Sequence, residues 1–298
     1  MMNTLLHRIN RRFLVLLFAV TLPCLLRAQL LYEISGNSVK GKSYLLATNP
    51  LVNKTFLDTI PNVFTVFSRC DKVITEFAVE DYEAVAALRQ AALLPDSVVL
   101  QDHYNQDDYR TISNAFALDV GMTMEQLCRM KPAYLTELYR TSLLRRYLGF
   151  DEERSMESFF EQVAQQTGMP VIGLDDLGET LYMTFDREPF EYQCEELLQI
   201  VRYPEREVQL ERSMRSSYLW GRLGDMAFAI ESPDNRSTLS YSDYAVYAKR
   251  NVQWVRRLHP YLKEGKAFVT LNAVYLGGDK GLIALLRKEG YRVRRVNR

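Results

Sequence analysis

Three apolar runs in this chain lead to residues that could do chemistry. Residues 43–48 run into Asn49-Pro50, residues 72–77 carry Glu76 near their end, and residues 267–275 finish in Asn272-Ala273-Val274-Tyr275. A carboxylate, two amides and a phenol can bind and orient a polar ligand. Glu76 is the group that could work in a hydrolysis, and Arg250-Asn251 adds a guanidinium and a further amide. Ligands of open α/β sheets collect beyond the carboxyl ends of the strands. Parallel packing of the three runs would bring Asn49, Glu76, Asn272 and Tyr275 to one such edge.

Those groups are weighed against plainer roles. A catalytic divalent metal takes about three protein ligands and an open water position. Beyond His7, the histidines are His103, in the polar stretch QDHYNQDD, and His259, just before Pro260. Both read as surface residues, away from the strand ends. Glu76 alone is a poor transition-metal site. A neutral phenol with a pKa of about 10 is a weak ligand, and Arg250 adds positive charge. No metal ligand is therefore predicted; zinc or manganese would need a rebuilt site.

Glu76 is either a site carboxylate or a structural partner of Arg250. Tyr247, Asn251, Trp254 and Leu258 form a helical stripe facing the core. Asn251 then needs a buried hydrogen-bond partner, so Arg250 and Asn251 either point into a cleft or form a structural pair. Gly277-Gly278-Asp279 reads as a tight turn capped by Asp279, in preference to an anion pocket. The chain has no G-x-S-x-G, H-E-x-x-H, P-loop or Rossmann glycine fingerprint.

The elements that must position these groups follow from pattern. A hairpin is expected over residues 30–48, a short helix over 58–69 with Pro61 in its first turn, and a strand over 72–77. A long helical middle, about 81–161, breaks near Pro95, Gly121 and Gly149. A short strand at 170–174 precedes helices at 190–230, interrupted at Pro204. Residues 232–237 (SPDNRS) form the clearest loop. Helix 243–262, strand 267–275, helix 280–289 and strand 292–296 complete the chain. The fold class is α/β: a βαβ unit at each end, contributing to a central mixed sheet, with a large mainly helical middle.

Hydrophobic residues make up 47% and charged residues 25% of the 298, an ordinary globular composition. Residues 1–28 stand apart. Basic residues Arg8, Arg11 and Arg12 precede an apolar run over 13–22, and Ala28-Gln29 offers a small-residue cleavage point. That is a secretory signal-peptide pattern, with residues 29–298 as one mature domain. Cys24 offers a lipoprotein alternative, which Pro23 fits poorly. Cleavage would remove four arginines, with Arg27, and no acid, leaving 33 basic against 37 acidic residues, a balance of −4. Such a balance argues against a nucleic-acid partner. Cys70, Cys128 and Cys194 remain, without metal-type spacing. They read as buried thiols, or as one disulfide of unassigned pairing and a spare.

Several segments together carry a resemblance. They are residues 32–34 with 43–46, the strand Asp71 to Glu76, GMTMEQLCRMKP, FFEQVAQQTGMPVIGLD, Arg250-Asn251 with Trp254, and residues 281–293. In order and spacing they resemble the TraB/GumN family, which includes the Tiki-type metalloproteases. In that family two strands each end in Gly-x-x-His; here those positions hold Ala47-Thr48-Asn49-Pro50 and Asn272-Ala273-Val274-Tyr275. Asp175 stands where Glu is usual, Thr180 for a Gln and Glu157 for an Asp.

The resemblance implies a metal-dependent hydrolase, while the loss of both histidines implies a pseudoenzyme. The expectation is therefore an exported, periplasmic or secreted binding protein without a cofactor, its ligand a small molecule or peptide. Two alternatives stand: a hydrolase or peptidase with an altered site, and a haem or small-ligand binder with Tyr275 as axial ligand. The latter follows from the family's likeness to a wider fold group that includes haem-binding lipoproteins.

Overall fold

The computed structural model describes residues 29–78, 82–156, 159–231 and 241–296. Residues 1–28, with the expected signal peptide and Cys24, lie outside the described residues, as do Glu157 and the loop expected at 232–237.

Six strands form one mixed sheet: β1 (Leu31–Gly36), β2 (Ser43–Thr48), β3 (Lys72–Thr75), β4 (Val171–Gly173), β5 (Ala267–Asn272) and β6 (Tyr291–Arg295), in the order β4-β3-β5-β2-β1-β6. β4, β3, β5 and β2 run parallel, and β1 pairs antiparallel with both β2 and β6. Every residue of β2 is buried, as expected of a central parallel strand covered on both faces. β6 instead alternates, Tyr291 and Val293 inward and Arg292 and Arg294 outward, and those exposed arginines suit a sheet edge. The β1–β2 hairpin turns through Gly36, Asn37 and Ser38, all at positive φ.

The fold class is as the pattern indicated, but the strand order is not a simple reading of it. β2 and β3 are parallel without being neighbours, because β5 lies between them. β5 and β6 are likewise separated by β2 and β1. Each end of the chain thus supplies strands that interleave with those of the other. β3, β4 and β5 are also shorter than expected. Glu76 falls just beyond β3, and Tyr275 closes a 3-10 turn, Ala273–Tyr275, beyond β5. The helix expected over 58–69 divides into a 3-10 turn, Lys54–Thr59, and α1 (Val63–Phe67).

The remaining helices are α2 (Tyr82–Ala91), α3 (Gln106–Ala115), α4 (Met124–Leu127), α5 (Pro132–Leu148), α6 (Phe159–Thr167), α7 (Leu177–Leu181), α8 (Phe190–Arg202), α9 (Pro204–Leu219), α10 (Leu223–Glu231), α11 (Tyr241–Glu264) and α12 (Leu282–Lys288). None of the described helices is long and apolar enough to cross a membrane. Phe67 of α1, Phe160 of α6 and Phe268 of β5 pack mutually, with ring centroids 4.6–5.1 Å apart. They anchor two helices on the sheet. A second apolar core lies among the helices, around Ile112, Phe116, Leu135, Tyr139, Leu143 and Leu197. It draws in α8 and α9 as well as residues 81–161.

Candidate functional site

The carboxyl ends of β2, β3 and β5 lie side by side, so the topology gathers Asn49, Glu76 and Asn272 at one edge. β4 adds Asp175, because the backbone N–H of Asp175 donates to the Glu76 carbonyl at 2.8 Å. Gly173 permits that approach: a Cβ there would lie 2.8 Å from the Ala78 nitrogen. From the opposite side α11 presents Tyr247, Arg250, Trp254 and Arg257 on successive turns.

Arg250 is the hub. Its Nε and Nη2 reach Asp175 Oδ2 at 2.7 and 2.6 Å, and Nη1 lies 3.4 Å from Glu76 Oε2 and donates to the Tyr275 hydroxyl. The guanidinium also sits over the rings of Trp254 and Tyr275, at 4.4 and 4.9 Å. Asp175 is buried and accepts a further bond from Trp254 Nε1 at 2.6 Å. Arg257 donates to the Leu174 carbonyl and grips Glu179 with both terminal nitrogens. Its hydrogen bonds hold the Glu179 carboxyl below the usual range.

Glu76 Oε1 accepts the backbone N–H of Asn272 at 2.9 Å. Burial raises the Glu76 pKa, opposed by Arg250 and by that N–H. Tyr275 stacks on Tyr247, centroids 4.6 Å apart, and abuts Trp254 at 4.7 Å. Burial lifts its phenol well above the ordinary value, with Tyr247 and Glu76 adding and Arg250 opposing.

The other expected site residues take quieter places. Asn49 is buried, its Oδ1 accepting the Leu51 N–H at 2.9 Å, and Asn272 Oδ1 accepts the Val274 N–H at 3.2 Å. Both side chains thus hold the turns that follow their strands. Asn251 is not in the cluster: its Nδ2 donates at 3.0 Å to the carbonyls of Tyr275 and Lys280. It therefore fastens the post-β5 loop to α11. Asp279 does not cap the last helix, because Gly281 occupies that position. His103 packs edge-on against Phe190, and His259 Nδ1 lies 2.6 Å from the Tyr291 hydroxyl, both apart from the cluster. The three cysteines among the described residues are free thiols, Cys70 and Cys194 buried and Cys128 exposed, so no disulfide joins these three.

The donors at this edge do not fit the divalent metal that the resemblance implies. Glu76 is engaged by a guanidinium and a backbone N–H, Pro50 offers no donor, and Tyr275 accepts from Arg250. Among the described residues no three His, Cys, Asp or Glu side chains gather closely enough to hold a metal ion. Nor does Tyr275 suit haem, since its oxygen accepts from Arg250 and its ring packs against Tyr247 and Trp254.

Beside the cluster lies a cavity of about 620 Å³, walled by the turns after β2 and β5 and by α5, α8 and α9. Asn49 and Asn272 line its sheet side. A π-helical turn, Tyr182–Asp186, supplies part of its rim through Met183, Thr184 and Phe185. The helical wall carries Arg140 with Glu137, Glu196, Glu207 and Glu211. None of these helical acids stands out in the sequence as a site residue. The available signal was the like-charged pair Glu207 and Glu211 on one helix face, four residues apart, which is unfavourable without a reason.

A mixed sheet with a polar cluster at its carboxyl edge, roofed by helices, defines an α/β protein with a strand-end cleft. A family model described as the TraB/PrgY/gumN family matches residues 30–295, and the chain belongs to that family. No curated protein and no solved structure matches it at a significant level.

Proposed function

We propose that this chain is a binding protein, a family member without metal-dependent hydrolysis, whose ligand occupies the cavity beside the strand-end cluster. The observation that carries this reading is the position of Arg250. Its guanidinium lies among Glu76, Asp175 and Tyr275, so a side-chain cation neutralises the carboxylates that a catalytic cation would need. A cavity of about 620 Å³ has the size of small-ligand sites. The apolar run and basic residues of the first 28 positions favour an exported protein acting outside the cytoplasm.

Elemental analysis after metal-free purification, with a peptidase panel, tests this. The expected result is less than a tenth of an equivalent of zinc or manganese and no peptide cleavage. One equivalent of tightly held metal, released by Glu76→Ala, would show a working metal site and overturn the reading.

A further inference from the structure

We propose that the cavity binds a primary ammonium or guanidinium group of an organic ligand, held by Glu207 and Glu211 of α9. This rests on the reading of the cavity as a ligand site and names what it takes.

Two buried acceptors on the cavity wall point to it. Glu207 is almost fully buried; its Oε1 accepts from Arg140 Nε at 2.7 Å, but its Oε2 has no hydrogen-bond partner among the described residues. Thr136 Oγ1, on α5 across the same cavity, is likewise buried and unpartnered. A buried polar atom left unsatisfied costs roughly 1–3 kcal/mol, so two on residues that line one cavity mark a place for a donor to arrive.

The charge says which donor. Five glutamates line the cavity (137, 188, 196, 207 and 211) against two arginines, 140 and 187. Arg140 is occupied by Glu137 and Glu207, with Glu196 at 3.9 Å. The remaining charge is negative and partly buried, and only a cation relieves it. A bare metal ion is the wrong shape of answer, because the acids do not converge. Leu144, Leu210 and Met214 add apolar wall for an alkyl chain, so an amphipathic amine suits both surfaces.

Proton linkage gives the site a signature. Glu211 feels the charges of Glu207 on its own helix and of Arg140 and Glu137 from α5, and Glu196, Arg187 and Glu188 line the same cavity. Burial, reinforced by Glu207, pushes its carboxyl up to about 7. A cation prefers the ionised form, so affinity rises with pH through neutrality.

Calorimetric titration of the chain with agmatine and hexylamine, against hexan-1-ol and hexanoate as neutral and anionic controls, tests the proposal. Both cations should bind, and agmatine affinity should rise up to about tenfold from pH 6 to pH 8 as Glu211 ionises. Glu207→Gln should weaken it at least tenfold, and Glu211→Gln should remove the pH dependence. Thr136→Val, which deletes a buried hydroxyl without a partner among the described residues, should weaken binding without lowering the unfolding midpoint, and serves if a glutamate variant misfolds. No cation binding at 10 mM, hexanoate binding as tightly as hexylamine, or affinities unmoved by all three variants would each overturn it. Failure here leaves metal content and peptidase assays untouched, and a positive metal result leaves amine binding untouched, so the two readings fail separately.

Discussion

Asp175→Asn offers the sharpest test of how the strand-end cluster is built. Asp175 has a side chain only 3% exposed and accepts from Arg250 Nε and Nη2 and from Trp254 Nε1. Asparagine keeps the shape and one acceptor, but removes the charge and can turn an N–H₂ toward donors. Arg250, itself 14% exposed, would then be a buried cation short of its main partner. Breaking one side of a buried pair costs about 3–5 kcal/mol, a large part of an ordinary domain's stability of about 5–15 kcal/mol. Glu76→Gln should cost much less, about 1 kcal/mol. Its side chain is 25% exposed, its contact with Arg250 is 3.4 Å, and glutamine can still accept the Asn272 N–H. Urea unfolding at pH 7, followed by tryptophan fluorescence, measures both. Arg250→Met in the Asp175→Asn background should cost less than the two single changes added, by about 1–3 kcal/mol. The reasoning is refuted if Asp175→Asn costs under about 1 kcal/mol while Glu76→Gln costs more.

Between pH 4.5 and about 7 the folded state holds a proton on Glu211 that the unfolded chain has released. That stabilisation is complete below pH 4.5 and is lost as pH rises to about 7. Glu211→Gln should abolish the fall, making the variant up to about 3 kcal/mol more stable at pH 8 than wild type, relative to pH 5; identical urea-midpoint profiles would count against it. Gly277→Ala should prevent normal folding or cost several degrees of melting temperature, because a Cβ would lie 2.1 Å from the Leu223 carbonyl oxygen; an unchanged melt refutes this packing. In a chain starting at residue 29, a thiol reagent at pH 8 should label Cys128 rapidly. Cys70 and Cys194, pushed by burial up to about 12 and about 11, should react only on unfolding; three fast thiols would contradict their placement.

The parts legible in the sequence are those with short-range signals. Apolar runs ending in turn residues marked β2, β3 and β5, and the stripe Tyr247-Asn251-Trp254 marked the inward face of α11. Strand order has no such signal: β2 and β3 read as successive neighbours, and only long-range packing puts β5 between them. Glu76, Arg250 and Tyr275 were readable as strand-end and helix-face residues, and they do meet. Asp175 was noticed only as a departure from a family pattern. Its weight comes from partners some 75 residues away, Arg250 and Trp254, which no local pattern reveals. The acids of α9 were missed because an amphipathic helix with charges looks solvated until its neighbour is known.

The interleaving of strands also governs when this chain can fold. Ser43 and Ala267 are hydrogen-bonded neighbours at the sheet's centre, yet stand 224 residues apart in the chain. Until β5 is synthesised, β2 and β3 each carry an open edge with no partner between them. Contacts of such separation are slow to form, since the loop must close before they repay it. The growing polypeptide can therefore assemble helices early but must defer its sheet until nearly the whole chain is made. During that interval it is a substrate for chaperones and prone to edge-to-edge association. A fragment stopped before residue 267 should behave as an aggregating chain and not as a smaller version of the protein.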